Sequence, residues 1–190
     1  IAEFLWVKYE SGHLMPTLEL LGIFTQLGYQ VTDSFLIGCF FQSGTPEQAG
    51  RECLARFTSD RVREAVKKLA EGENAAAGKD YVHAESCARD VLHTFQREKI
   101  TYGEYRSFSL LSQVALTKNK GDDAVVYLEY ALENAYRTRY SYAILDSGID
   151  LACVHFGVGN FDSALCAAES AEKTAKKCFA RDREAFLLFI

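Results

Sequence analysis

Gly159-Asn160-Phe161-Asp162-Ser163-Ala164 reads as a tight turn that opens a helix, and Ala168 and Ala171 continue its small residues at spacings of four and three. Small residues on one helical stripe let a neighbouring helix approach closely. A similar run of alanines and small residues recurs earlier in the chain. Such a chain folds as helical hairpins stacked face to face, and few other architectures accept the pattern.

The rest of the sequence agrees. Two prolines and the scarcity of alternating polar and apolar runs favour helix over sheet. Taken in order, eleven helices alternate with short turns. The first covers residues 1–10. The second runs from Pro16 through Leu21 and Phe24 to Gly28. The third carries Phe35, Leu36, Phe40 and Phe41. Thr45-Pro46-Glu47-Gln48 forms a capping box before a fourth with Ala49, Cys53, Leu54 and Phe57. Ser59-Asp60 caps a fifth through Val62, Val66 and Leu69, which tolerates Gly72, ends near Gly78 and marks a slight irregularity between residues 58 and 78. A sixth carries Tyr81, Ala84, Ala88, Val91 and Phe95. Thr101-x-x-Glu104 reads as a second capping box for the seventh, and Gly121-Asp122 as the turn into the eighth. The ninth spans roughly Tyr140 to Phe156, the tenth runs from Phe161 toward Cys178, and an eleventh begins near Asp182. Aligning the second helix of each pair places Thr17, Ala49, Ala84, Ala124 and Ala164 in register, at intervals of 32, 35, 40 and 40 residues. Periods in this range mean one helical hairpin per repeat.

The motifs carry a family resemblance. Leu151-Ala152-x2-His155-x3-Gly159-Asn160-Phe161-x2-Ala164-x3-Ala168-x2-Ala171 resembles the tetratricopeptide repeat, in which large, small and aromatic residues alternate around a Gly-Asn/Asp-Phe/Tyr turn. Phe108-x2-Leu111-Ser112-x2-Ala115 followed by Ala124-x3-Leu128-x2-Ala131 is a second copy whose turn lies too close to Ala124. Gly78-Lys79-Asp80-Tyr81-x2-Ala84 is a third, with one residue added to the turn. The intervals of 40 are similar to the longer helices of kinesin light chain and of bacterial regulator sensor domains. Residues 1–58 form a divergent unit that equally resembles pentatricopeptide repeats, and residues 59–190 hold the tetratricopeptide-like repeats with a truncated last helix. The resemblance implies an all-α, right-handed superhelical solenoid of about five antiparallel hairpins.

What that resemblance implies for function is a non-catalytic scaffold whose concave face, lined by the first helix of each hairpin, binds a peptide or protein segment. By register the groove residues are Arg106, Ser109, Gln113, Leu116, Asp146, Ile149, Asp150 and Cys153. Chaperone-binding members clamp a terminal carboxylate with lysine and asparagine there. Ser109, Gln113, Ile149 and Cys153 do not reproduce that set, so no such clamp is expected. The alternatives are a sensor or regulatory domain of a larger regulator that responds to a peptide or small ligand, and an RNA-binding repeat. A net charge of −5 opposes the last.

Other clusters point to packing. His83 and Cys87 share a face at i, i+4, His93 is rotated off it and a further ligand is not visible, so no metal or other cofactor is expected. Gly157-x-Gly159 lacks the strand that a phosphate loop needs and reads as a helix break. His155 is expected to be a satisfied core histidine. Tyr136-Arg137-Thr138-Arg139-Tyr140-Ser141-Tyr142 reads as a solvated turn whose tyrosines cover neighbours. Asp146 and Asp150 lie at i, i+4 without a paired base or nucleophile, so the chain is not expected to be an enzyme. Six cysteines at apolar or small positions favour a reduced, cytoplasmic compartment. No apolar run approaches the roughly 20 residues of a membrane span. A start at Ile1 and the apolar end Ala185 to Ile190 are what a piece of a longer protein would show.

Overall fold

The computed structural model describes residues 16–42, 53–57 and 59–178, together with Lys8. Those residues form α-helices and turns, without a strand. The order is α1 (Leu18–Gln26), α2 (Asp33–Gln42), α3 (Asp60–Ala77), α4 (Tyr81–Glu98), α5 (Thr101–Thr117), α6 (Gly121–Thr138), α7 (Ser141–Gly157) and α8 (Phe161–Cys178). The expected helices over residues 1–10 and beyond Asp182, the capping box at Thr45 and the register position Ala49 lie outside the described residues.

Each long helix forms because its apolar residues fall on one stripe. In α3 the buried set is Val62, Ala65, Val66, Leu69 and Gly72, an i, i+3, i+4, i+7, i+10 series. In α4 it is Ala84, Cys87, Ala88, Val91 and Phe95. Every helix from α3 to α8 packs on the next in sequence, the pattern of an all-α helical-repeat solenoid. The helix α5 is enclosed by the others: α3, α4 and α6 contact it, and α2 also lies against it. The core follows this order. One cluster joins Leu21, Phe24, Phe35 and Ile37 to Val66, Phe95, Tyr105 and Leu111. A second joins Ala115, Ala124, Leu128, Leu151 and Val154. A third ties Leu145 to Ala171 and Ala175.

The turns correct the repeat register. The helices α4, α6 and α8 begin at Tyr81, Gly121 and Phe161, each 40 residues after the last. Before them Lys79, Asn119 and Gly159 take the left-handed conformation, with φ of 67°, 55° and 83°. Each turn closes with the same pair of backbone bonds, shown at the third by Gly159 N–H donating to Phe156 O (3.1 Å) and Asn160 N–H to His155 O (2.9 Å). This is the Schellman helix ending. The middle turn is therefore Asn119-Lys120-Gly121 and not Gly121-Asp122, and the first carries no added residue, because Lys79 occupies the glycine's conformation. Gly121 serves another need. A Cβ there would meet Val158 Cγ1 at 2.4 Å, so the glycine lets successive turns nest.

Further corrections concern caps. Thr17 is the N-cap of α1, extended, with Oγ1 accepting from Leu20 N–H at 3.3 Å, so it matches Asp80 and not Ala84. Thr101 is the first residue of α5 and Ile100 its N-cap, and Glu104 is buried with a carboxylate oxygen 3.9 Å from Arg137, so the expected capping box does not form. Ser59 occupies the N-cap of α3 without a capping side-chain bond, and α3 runs unbroken across residues 60–77. The small-residue seam behaves as expected: a Cβ on Gly148 of α7 would lie 3.1 Å from Ala171 Cβ of α8.

Candidate functional site

The first helices α3, α5 and α7 supply the candidate groove. Arg106, Ser109 and Gln113 fall at i, i+3 and i+7 on α5, so one stripe carries all three. They border a cavity of about 390 Å³ whose opposite wall is Glu73, Ala76 and Ala77 of α3, with Leu110, Thr117 and Tyr81 completing it. Arg106 spans that space. Its Nη2 donates to both carboxylate oxygens of Glu73, at 2.6 and 2.7 Å, and its Nε donates to one of them at 3.1 Å. A planar guanidinium suits this forked geometry. Burial pushes the Glu73 carboxyl above its usual range, and Arg106 pulls it partly back.

Asp150 lies on α7. Its side chain keeps solvent access, yet the surrounding protein withdraws enough water to raise its pKa. It acts electrostatically on Tyr105 of α5 and on Cys153, whose thiol is raised mainly by burial and further by Asp150. Asp146 is half-buried one turn earlier.

Of the eight expected residues, Arg106, Ser109 and Gln113 border the cavity, while Asp146, Asp150 and Cys153 on α7 do not, nor do Leu116 and Ile149. Leu116 is exposed near the C-terminal end of α5. Ile149 packs against Leu145, Ala171 and Ala175, so its side chain belongs to the α7–α8 contact and not to the cavity. Two partners were not legible in the sequence. Glu73 comes from the preceding hairpin, and Phe41 of α2 places its ring 4.6 Å from Arg106 Cζ, covering one end of the stripe.

A second cavity of about 280 Å³ opens between α6, α7 and α8, bordered by Leu132, Tyr136, Gly148, Leu151, Cys166 and Ala171 among others. His155 borders it too. Contrary to the expectation of a satisfied core residue, His155 is half-buried and its enclosed Nδ1 has no hydrogen-bond partner among the described residues. Of the Tyr136–Tyr142 cluster, Tyr136 to Thr138 belong to α6 and not to a turn; Tyr140 is buried edge-on against Tyr102 (centroids 5.4 Å apart), as a tyrosine covering a neighbour would be, while Tyr136 stays exposed. Cys39, Cys53, Cys87, Cys153 and Cys166 form no disulfide among the described residues. No described helix is long and apolar enough to cross a membrane.

Hairpins repeating every 40 residues, joined by left-handed turns that close with the same backbone bonds and packed through alanine and glycine seams, define an all-α helical-repeat solenoid similar to the tetratricopeptide repeat. In agreement, the chain is 29% identical over 164 residues to a TPR repeat-containing protein of Treponema pallidum (strain Nichols), a match covering 86% of this chain and 19% of that protein. The chain thus spans about a fifth of the length of that curated relative. No family model matches the chain. No solved structure matches it either.

Proposed function

We propose that the protein is a non-catalytic interaction scaffold that binds a peptide or protein segment along the face lined by α5 and α7. The observation that supports this reading most is the cavity between α3 and α5, where Arg106, Ser109 and Gln113 stand opposite Glu73. Its polar groups suit a peptide backbone. The Gln113 amide offers both a donor and an acceptor, and it is exposed while its helix is fixed in the core. The Arg106–Glu73 pair holds one wall rigid, so a segment binding there need order only itself. Asp150 extends the face toward α7 and favours segments that bring a cation or an N–H donor. The general scaffold role also follows from the likeness to a tetratricopeptide protein.

The test is a peptide selection. Binders are chosen from a displayed random library against the purified protein, and affinities are read by fluorescence anisotropy. Gln113→Ala and Asp150→Asn are each expected to weaken the selected peptides by roughly tenfold, as loss of about 1.4 kcal/mol at an interface does. Val82 of α4 is exposed and does not border the cavity, so it serves as the control site, where Val82→Ala is expected to leave affinity unchanged. Peptides that bind all three variants alike would place recognition elsewhere.

A further inference from the structure

Glu71, His83 and Cys87 meet where α3 and α4 pack together. Gly72 makes the meeting possible. A Cβ at that position would stand 2.9 Å from Cys87 Cβ and 3.1 Å from Leu110 Cδ2, so the helices approach more closely than any larger residue allows. Glu71 therefore reaches the face of α4 on which His83 and Cys87 lie one turn apart. His83 Nε2 is 2.7 Å from Glu71 Oε1 and 3.6 Å from Cys87 Sγ. The three donor atoms lie within 4.8 Å of one another.

The geometry separates two chemistries. In a Cys–His–carboxylate relay, the thiol bonds one ring nitrogen and the carboxylate the other. Here both partners converge on the same nitrogen, so no proton can pass through the ring between them. Convergence on a single point is instead the arrangement of ligands around a cation. Zinc–sulfur and zinc–nitrogen bonds of about 2.3 and 2.05 Å at a tetrahedral angle put the two donors about 3.5 Å apart. The Cys87–His83 separation already has this value. Glu71 must withdraw from Nε2 by about 0.7 Å to reach the corresponding nitrogen–oxygen separation, and its side chain is exposed and free to move that far.

Acidic side chains surround the cluster: Glu71, Asp80 and Asp90 all act electrostatically on Cys87, and Lys68, the cation that also acts on it, is paired with Asp90 at 2.6 Å. Nor is the donor set demanded by the repeat. Positions 83 and 87 correspond, at the 40-residue spacing, to Asp123 and Tyr127 and to Ser163 and Ala167. Those hairpins pack without a histidine or a cysteine at either place. His93 is exposed elsewhere on α4 and takes no part.

We infer that Glu71, His83 and Cys87 form a binding site for a zinc-class divalent cation, which clips α3 to α4 and leaves a fourth coordination position facing solvent. On binding, a metal–sulfur bond forms as the thiol S–H breaks and its proton passes to solvent. His83 binds through the Nε2 lone pair with its proton on Nδ1, and Glu71 binds as the carboxylate. Nothing is oxidised or reduced. The ligand charges sum to −2 and neutralise the ion.

The experiment uses the protein with Cys153→Ser, Cys166→Ser and Cys178→Ser, which removes the exposed thiols among the described residues, and that of Cys178, as competing ligands. Co²⁺ is titrated as a spectroscopic probe, and Zn²⁺ is then measured by competition with a chromophoric chelator. The expected result is one Co²⁺ per chain, with thiolate-to-cobalt charge transfer in the near ultraviolet and the intense visible bands of tetrahedral cobalt, displaced by Zn²⁺. Cys87→Ser should abolish the charge transfer. Glu71→Gln and His83→Gln alter exposed side chains, should leave the circular dichroism melt of the metal-free protein unchanged, and should each weaken Zn²⁺ roughly tenfold or more. Octahedral cobalt without charge transfer, charge transfer that survives Cys87→Ser, or Zn²⁺ affinity indifferent to both Glu71→Gln and His83→Gln would each overturn the assignment.

Discussion

Gly103→Ala tests the central packing contact. Gly103 lies on α5 against the ring of Phe95 from α4, and Phe95 is wholly buried. An alanine methyl at residue 103 would stand 2.5 Å from Cγ and Cδ1 of that ring and 2.8 Å from Cδ2. Carbon atoms rest about 3.5–4.0 Å apart, so the ring must retreat by about 1 Å into a core with no open side. Overpacking of this kind costs about 2–3 kcal/mol. Alanine returns about 1 kcal/mol through its helix propensity. The net loss is about 1–2 kcal/mol, and a chain of this size should melt about 2–8 °C lower. Gly157→Ala provides the opposite case. Gly157 ends α7 with negative φ, and nothing lies within 4 Å of its would-be Cβ, so the same substitution should stabilise by about 0.5 kcal/mol. Urea titration followed by circular dichroism reads both variants, with an unchanged m-value marking a true stability effect. If Gly103→Ala is as stable as the parent, Phe95 does not pack over Gly103 and the α4–α5 contact is wrong.

Other consequences follow from single residues. Lys79 holds φ of 67°, so Lys79→Gly should relieve the left-handed strain and, after the entropy gained by the unfolded chain, stabilise by about 0.5–1 kcal/mol in the same titration; a destabilised variant would show that the lysine side chain contributes to the turn. Ala164 is buried at the start of the α8 seam, and Ala164→Leu should cost about 1–3 kcal/mol, whereas a parent-like melt would show that the seam is open there. Glu104 has its pKa raised, chiefly by burial, against the pull of Arg137. A carboxyl raised in the folded state gives stability that is full below its unfolded pKa and lost as pH rises through its folded pKa. The parent should therefore lose more stability than Glu104→Gln between mildly acidic and neutral pH, and equal losses in paired urea titrations would remove Glu104 from the account.

The helices were legible because their stripes are local. Val62, Val66 and Leu69 mark α3 whatever packs against them, and the spacing of Ala84, Ala124 and Ala164 shows the 40-residue repeat directly. The turns were harder to read, because two of the three left-handed positions that precede α4, α6 and α8 are filled by Lys79 and Asn119. Gly78 and Gly121 stand beside them and draw the turn assignment to the wrong residue. Gly121 is a glycine for a nonlocal reason, the close approach of Val158. Glu104 was misread in the same manner. Its spacing from Thr101 satisfies a local capping rule, but the carboxylate turns inward toward Arg137, more than thirty residues away. His155 fills a packing slot by pattern, and only the assembled α6–α8 surfaces reveal that its Nδ1 is enclosed without a partner.

The candidate groove shows the same boundary between local and nonlocal information, with a consequence for binding. Register alone placed Arg106, Ser109 and Gln113 on one face of α5. It could not anticipate that Glu73 would engage the guanidinium through both its oxygens, or that Phe41 would lie over it. Together these two contacts withdraw Arg106 from recognition: its hydrogen-bonding edge is directed at Glu73, and a ring covers its face. A bound segment would have to break a bidentate ion pair about three-quarters shielded from solvent to use it. Recognition is therefore expected to concentrate on Ser109, Gln113 and Asp150, beyond the end closed by α2. Arg106→Ala should then lower stability, by leaving the Glu73 carboxylate unpaired, more than it lowers peptide affinity. Gln113→Ala should do the reverse. A selected peptide that loses binding with Arg106→Ala while the variant melts like the parent would invert this order and return the guanidinium to the recognition surface.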